Sequence, residues 1–526
     1  MVQATALGRS SRLPVYVNTI GLRRCSPYII IRHGSSQTLY PAKRTIHSSP
    51  TRLVSPADQA TLTDPASLGR FPSEPPVQPR PATKMAPLSV LPLSAVLRNL
   101  ATTSISSSRI LLPPSLAIMN LLAHTNQPVL NPDKNPLLRW FLKGTFYAQF
   151  CAGENAAEVR HTIDNLKKIG FTGVILGYAK EIVLSESQTK NLTACDEGPV
   201  AEECVRNEIG PWAAGTLATV RLAQHGDFVA LKFSGAGRQA MYALKNRLPP
   251  PKHLRAAIDE ICELAAQLDV PLLFDAEQTA VQAGIDDWTL EYQRKYNMSR
   301  PGHAIIYGTY QAYLKATPSV LGSHLATAAR EGFTLGVKLV RGAYLGSDPR
   351  HIIHDTKAET DAAYDGIAAS LIRRQWGEVL KGEAGAPFPR VSIVLGSHNL
   401  ESVRRARELR ESAEAAPHTE LAIGQLQGMA DEVSCELVAA ARVRQQQQLL
   451  SEKPGGSSIV AGGGAGDVEV PRAYKYIVWG TTGECMKYLL RRAYENRDAV
   501  ARTRSGRDAM WRELGRRVRV GLGIGA

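Results

Sequence analysis

The chain has 526 residues, of which 44% are hydrophobic, and a formal net charge of +14. That is long enough for one large catalytic domain with extensions, and no apolar run reaches the roughly 18 residues that would predict a membrane-spanning helix. Eight of the positive charges lie before Asp58, where no acidic residue occurs, leaving +6 for the rest; a nucleic-acid protein would concentrate basic residues along a binding face, so no such partner is expected.

The acid-free segment 1–57 is rich in Arg and Ser, the composition of a mitochondrial transit peptide. The stretch Arg44-Thr45-Ile46-His47-Ser48-Ser49 resembles a matrix-processing site. Residues 58–87 are Pro-rich and read as a linker. Residues 88–140 read as an N-terminal helical extension, in which Pro113 and Pro114 are expected to break the apolar stretch Leu111–Ala123. Beyond residue 140, short apolar runs alternate with longer helical patterns, which predicts βα units around a parallel sheet. The predicted strands are Phe171–Gly177, Phe228–Phe233, Val270–Asp275, Ala304–Tyr310, Leu335–Val340, Val391–Gly396, Leu421–Leu426 and Tyr474–Trp479. Helices are predicted at Leu254–Leu268, Ser319–Glu331, Thr356–Arg374 and Leu400–Ala415. Eight units suggest closure into a (β/α)8 TIM-like barrel over 141–505; an open doubly wound sheet is the alternative. Residues 186–226 read as an inserted helical segment. Residues 445–466, with QQQQ and AGGGAG, read as a flexible loop. The glycine run follows a polar tract rather than a strand, so it is not a dinucleotide fingerprint. Residues 506–526 read as a basic C-terminal tail.

The seven cysteines are scattered, without a CxxC pair or a histidine at metal-ligand spacing. They read as free thiols, and no metal site is expected.

In a barrel enzyme the chemistry sits at the C-terminal ends of the strands, and here those ends are polar. Lys232 closes the second predicted strand and Asp275 the third. Gln311 and His398 follow the fourth and sixth, Gln425 lies in the seventh and Tyr476 in the eighth. Val337 and Leu339 share one face of the fifth strand and Lys338 the other, so if the apolar face meets the helices, Lys338 points into the barrel. A lysine there needs an anionic partner or ligand. Lys232 and Asp275 could form a purely internal ion pair, and His398 could cap the next helix; the convergence of so many polar ends favours a site. In the following helix, Tyr488, Arg491, Arg492 and Glu495 lie at three- and four-residue spacings. The arginines are either a solvated face paired to Glu495 or a carboxylate clamp, because planar guanidinium groups grip carboxylates bidentately.

The segments FCAGEN, VALKFSG, LLFDAEQT, YGTYQAYL, GVKLVRGAY, HDTKAETDAAYD, VLGSHN, IGQLQGM and YKYIVWG followed by YLLRRAYEN occur in this order. Together they resemble proline dehydrogenases. That resemblance implies FAD at the strand ends, with Gln311, Lys338, Val340, Gly342, Ala343, Tyr344 and His398 in contact with the flavin. It implies that Arg491 and Arg492 grip the carboxylate of L-proline and that Lys232 lies beside it. Asp275, Tyr476, Tyr488 and Leu426 would enclose the ring, and Glu154 would pair with the arginines as a gate. The implied reaction is hydride transfer from C5 of proline to flavin N5, giving 1-pyrroline-5-carboxylate. Electrons would pass to ubiquinone at the matrix side of the inner mitochondrial membrane, which implies peripheral membrane contact. A hydroxyproline-oxidising relative and another flavin barrel are the alternative readings. The sequence departs from the family pattern at Val478, where proline is usual, and in the lengths of 186–226 and 445–466.

Overall fold

Alternation along the apolar runs builds the core. The computed structural model describes residues 86–125, 127–180, 198–383, 385–451, 472–498 and 500–524, all within one compact unit, Arg80–Ala526. Strand β1 is Cys151–Gly153. Strands β2 to β9 are Gly173–Tyr178, Phe228–Leu231, Leu272–Phe274, Ile306–Gln311, Leu335–Val340, Val391–Gly396, Leu421–Leu426 and Arg472–Trp479. From β2 onward each strand pairs in parallel with its successor, and β9 pairs with both β8 and β2. The eight predicted strands therefore close into a parallel barrel wrapped by helices, the (β/α)8 class expected from the sequence. β1 was not predicted. It adds to the end of β9, with Cys151 opposite Val478, and three residues are too few for a periodic signal.

Outward-facing side chains such as Val337, Leu339, Ile393 and Leu395 pack under the helices with Leu325, Leu371 and Val403. Inward-facing Phe228, Tyr307 and Tyr474 plug the N-terminal end, with edge-on ring contacts of 5.8 and 5.1 Å. A filled floor leaves the C-terminal rim as the place for a site. Lys475 points outward beneath a helix, where it pairs with buried Asp431 at 2.6 Å; Asp431 also accepts from Asn99, 2.6 Å away. That bond fastens helix Leu93–Ser107 to the barrel.

Helix Lys357–Arg373 is delimited as the sequence predicts. Thr356 and Glu359 form a reciprocal capping box at its start, and Arg374 closes it in the left-handed region. Other expectations need correction. Pro113 and Pro114 start helix Leu112–His124 rather than break it, because the first turn needs no N–H donors from them. Helix Leu400–Glu411 ends short of Ala415, where the Ser412 hydroxyl takes over the Leu409 carbonyl and the Glu414 N–H in a local turn that competes with the helix. Residues 445–451, expected as loop, continue helix Asp431–Ser451, consistent with the good helix propensity of glutamine. Residues 452–466 of that expected loop, residues 186–197 of the expected insertion, and the transit-peptide and linker readings up to residue 85 lie outside the described residues. The rest of the insertion is helical: Gly198–Cys204, Val205–Ile209 and Gly210–Leu222.

The expected basic tail is mostly a helix, Val500–Gly521, whose buried face carries Met510 and Glu513. Glu513 takes Arg516 and Arg517, and Arg517 also donates to the carbonyls of Leu88 and Leu91. Cys151, Cys204, Cys262, Cys435 and Cys485 are free and buried, and among the described residues no His/Cys/Asp/Glu cluster is arranged to hold a metal ion.

Candidate active site

The short strands β3 and β4 end one residue before Lys232 and Asp275, so both side chains emerge at the rim. Lys338, inside β6, has helix-facing neighbours on either side and turns inward, with Thr309 of β5 as its register partner. The three groups meet. Asp275 takes Lys338 Nζ at 2.5 Å on one carboxylate oxygen. Its other oxygen takes Lys232 Nζ at 3.0 Å and the Tyr476 hydroxyl at 3.3 Å. Lys338 Nζ also lies 5.3 Å from the centre of the Tyr476 ring. The internal ion pair weighed from the sequence thus exists, with a second lysine added.

Burial alone would raise the Asp275 carboxyl, but the charges of Lys232 and Lys338 outweigh it and hold it well below the usual carboxylate range. Burial draws Lys338 below the ordinary lysine value; Asp275 opposes this and Lys232 reinforces it. Two cations held against one carboxylate make a preorganised rim for anionic or electron-rich groups.

The loop after β6 is held in place from below. Gln311 Oε1 accepts the Ala343 N–H at 3.0 Å. Val340 O accepts the Ala312 N–H at 2.8 Å, and Asp348 takes the Tyr313 hydroxyl at 2.5 Å and the Thr279 N–H at 3.1 Å. Gly342 sits at φ 153°, and a Cβ there would meet the Tyr313 ring at 2.4 Å. Because Asp348 tethers that ring, Gly342→Ala should cost roughly 1–3 kcal/mol and displace Ala343 and Tyr344. An unaltered urea midpoint would show that the loop tolerates the methyl group.

His398 does not cap the next helix; Asn399 does, accepting the Glu401 and Ser402 N–H groups. His398 Nε2 instead accepts the Leu426 N–H at 3.1 Å. This joins the ends of β7 and β8 and puts the ring proton, when the imidazole is neutral, on Nδ1.

Helix Thr482–Asp498 follows β9 and carries the arginines. The Arg491 guanidinium lies 6.0 Å from the Tyr344 ring centre, so this helix reaches the loop after β6. Arg492 lies 5.0 Å from the ring of Tyr488. Arg492 and Tyr488 are both buried, which goes against a solvated face for that pair. The side chain of Glu495 lies outside the described residues.

Glu154 lies at the start of the arginine helix. Its carboxylate accepts from Thr482 N and Oγ1, at 2.9 and 2.6 Å, and from Lys143 Nζ at 2.8 Å. It therefore caps the arginine helix, where negative charge is favoured, through Thr482, with Lys143 as its ion-pair partner. Burial would raise the Glu154 carboxyl, but the hydrogen bonds from Lys143 and Thr482 hold it below its ordinary value. Leu426 lines the same end of the barrel, packed with Tyr476 against a cluster that includes Tyr488.

Sequence reasoning missed several contributors. Buried Glu277, two residues past Asp275, accepts the Ser234 N–H at 2.9 Å and ties the ends of β3 and β4 together; its place in LLFDAEQT was the available signal. Lys143 gave none, since its partners Glu154 and Glu158 lie far from it in sequence. Thr309 Oγ1 and Gln427 Oε1, on β5 and just past β8, are buried without a hydrogen-bond partner among the described residues. Folded proteins rarely leave such atoms unsatisfied, so they suit a polar ligand lying across the strand ends. A flavin fits that description.

Comparison with known proteins bears on the family of the chain. The family described as "Proline dehydrogenase" matches residues 159–505. A protein of Schizosaccharomyces pombe named probable proline dehydrogenase, mitochondrial, is 28% identical over 472 residues, covering 81% of this chain and 89% of its own. A Bos taurus protein named hydroxyproline dehydrogenase is also 28% identical, over 73% of this chain and 83% of its own. The chain spans 38% of the length of the nematode and human relatives that it matches. Among solved structures, proline utilization A from Bdellovibrio bacteriovorus superposes with a TM-score of 0.51 at 17% identity, over 77% of this chain and 38% of that one; this likeness concerns the fold.

Proposed function

The chain belongs to the proline dehydrogenase family, and from that premise we propose that it oxidises L-proline to 1-pyrroline-5-carboxylate. The observation that carries the reading is the buried Asp275–Lys232–Lys338 cluster, roofed by Tyr476, at the rim reached by the arginine helix. Arg491 and Arg492 hold the substrate carboxylate, each guanidinium lying near a tyrosine ring that limits its freedom. Lys232 lies beside the substrate, and Asp275, Tyr476, Tyr488 and Leu426 enclose its ring and exclude water. Fixing the carboxylate at one end fixes C5 at the other, so catalysis is mostly orientation.

Gln311, Lys338, Val340, Gly342, Ala343, Tyr344 and His398 are the residues that would hold FAD, Gln311 acting through the Ala343 backbone that it fastens. FAD supplies the hydride acceptor when bound, and electrons leave for a membrane quinone. The Lys338 charge favours electron density arriving at the rim, one way a protein tunes a cofactor. The acid-free N-terminal segment and the mitochondrial names of the relatives support a place on the matrix side of the inner mitochondrial membrane. In this reading residues 141–505 are the catalytic barrel, 1–57 the address, 58–87 the linker, 88–140 the helical extension and 506–526 the basic terminus. Glu154 acts on the arginines through the helix that it caps.

The test is an anaerobic visible spectrum of the purified protein before and after L-proline. A flavin band that bleaches with L-proline, and less with trans-4-hydroxyproline, is expected. A stronger response to hydroxyproline would move the substrate to that of the bovine relative's name. A flavin indifferent to both, or no flavin after reconstitution, would remove the assignment.

A further inference from the structure

The extension ahead of the barrel leaves apolar side chains uncovered. Of the 22 large hydrophobic residues exposed among the described residues, ten lie between Leu93 and Phe141 and five between Trp511 and Ile524, whereas seven are spread over Val200–Tyr494. A surface so uneven marks an interaction site rather than ordinary scatter. Helix Leu112–His124 turns Ile118 and Leu121 outward, three residues apart. Helix Pro136–Leu142 turns out Leu137, Trp140 and Phe141, and Ile110 sits at the bend before the first of them. Ile110 is 83% exposed, and Leu137 and Trp140 are 73% exposed.

The charges in this segment are mostly basic. Between Ala86 and Gly153 the basic residues are Arg98, Arg109, Lys134, Arg139 and Lys143, and the only acid is Asp133. Asp133 is already used, accepting the Gly483 N–H at 2.8 Å. Arg109, Lys134 and Arg139 are exposed next to the apolar residues. Exposed Trp with interspersed cations is the composition of a helix lying in a bilayer interface.

The geometry also says how such a helix would sit. Leu112, Leu116, Met119 and Leu122 are packed against the protein in the cluster that holds Met486, Tyr488 and Leu489 of the arginine helix. Helix Leu112–His124 therefore offers lipid one stripe, not its whole circumference. No single described helix is long and apolar enough to cross a membrane, and helices Leu93–Ser107 and Leu112–His124 meet at 105°.

We propose that Ile110, Ile118, Leu121, Leu137, Trp140 and Phe141, interspersed in sequence with exposed Arg109, Lys134 and Arg139, form a monotopic docking surface for an anionic phospholipid bilayer. It rests on the proposed membrane-linked activity and gives that activity a place. The patch and the arginine helix lie on opposite sides of one apolar layer, so docking brings the barrel rim near the lipid phase where a quinone resides.

The test is flotation of the full chain with phosphatidylcholine vesicles, with and without phosphatidylglycerol, in the absence of proline. Wild type should float with the anionic vesicles and be released by salt. The variant Ile118→Ser/Leu121→Ser/Trp140→Ser should lose roughly 100-fold or more in vesicle affinity, since interfacial binding scales with buried apolar area. Its proline oxidation with a soluble dye acceptor should be unchanged, which also confirms folding. Flotation of the variant equal to wild type overturns the proposal. So does a dimer in gel filtration that the variant converts to monomer while neither form floats, because the occupant is then a second copy. Failure of the catalytic reading is recognised separately, as dye reduction absent in both proteins whatever the flotation result.

Discussion

Arg491→Met is expected to raise the apparent KM for proline by a few tens- to several hundredfold while the flavin absorbance per protein stays constant. The magnitude follows from removing a charged, hydrogen-bonded contact to a carboxylate, about 2–4 kcal/mol. Substrate and cofactor effects should separate because Arg491 touches the rim through the Tyr344 ring, at 6.0 Å, and not through the Gln311–Ala343 bond that fastens the loop. Arg491→Lys is the informative companion. It keeps the charge and loses the planar fork, so it should fall between wild type and methionine. Steady-state kinetics over a wide proline range decides it. If kcat falls and KM is unmoved, the arginine acts on the chemical step or on the loop, and the clamp assignment is wrong.

How much of this was legible in the sequence depends on the range of the interaction. Inward and outward alternation is a local property, so the barrel strands and the direction of Lys338 could be read from neighbours such as Val337 and Leu339. The Thr356–Glu359 capping box is equally local. The Asp275 cluster joins residues from four strands or strand ends, and sequence supplied its members without saying which carboxylate oxygen takes which lysine. Glu154 shows the other limit. Its part in FCAGEN suggested a partner for the arginines, but not its donors Thr482, at the start of the same helix, and Lys143, in a segment without periodic signal. β1 and the helical C-terminal segment were missed for related reasons. One is too short to show a period, and in the other an excess of arginine hid a buried stripe holding Met510 and Glu513.

Asp275→Asn should do the largest damage to the fold itself. Lys338 is buried, and Asp275 is its counter-charge at 2.5 Å; breaking a buried pair by removing one partner costs roughly 3–5 kcal/mol. The urea midpoint should drop accordingly at neutral pH. The pH dependence then tests whether charge is the cause. The folded-state pKa of Asp275 is held below its unfolded value, so its contribution is fully present above about pH 4 and is lost as pH falls through the folded value. The gap between wild type and variant should therefore narrow on acidification. In the variant, Lys338 loses the group that opposes its desolvation, and its pKa falls further than in wild type. Between that folded value and the ordinary lysine value the unfolded chain binds the extra proton, so the variant gains stability as pH rises. The gap should thus be widest near neutrality and close from both sides. Adding Lys338→Met to the variant removes the stranded charge and should recover much of the loss at neutral pH, because a buried apolar side chain carries no such penalty. A gap that stays constant with pH, or a double variant no more stable than Asp275→Asn, would mean that Asp275 holds the rim by shape and hydrogen bonding to Tyr476 instead of by charge.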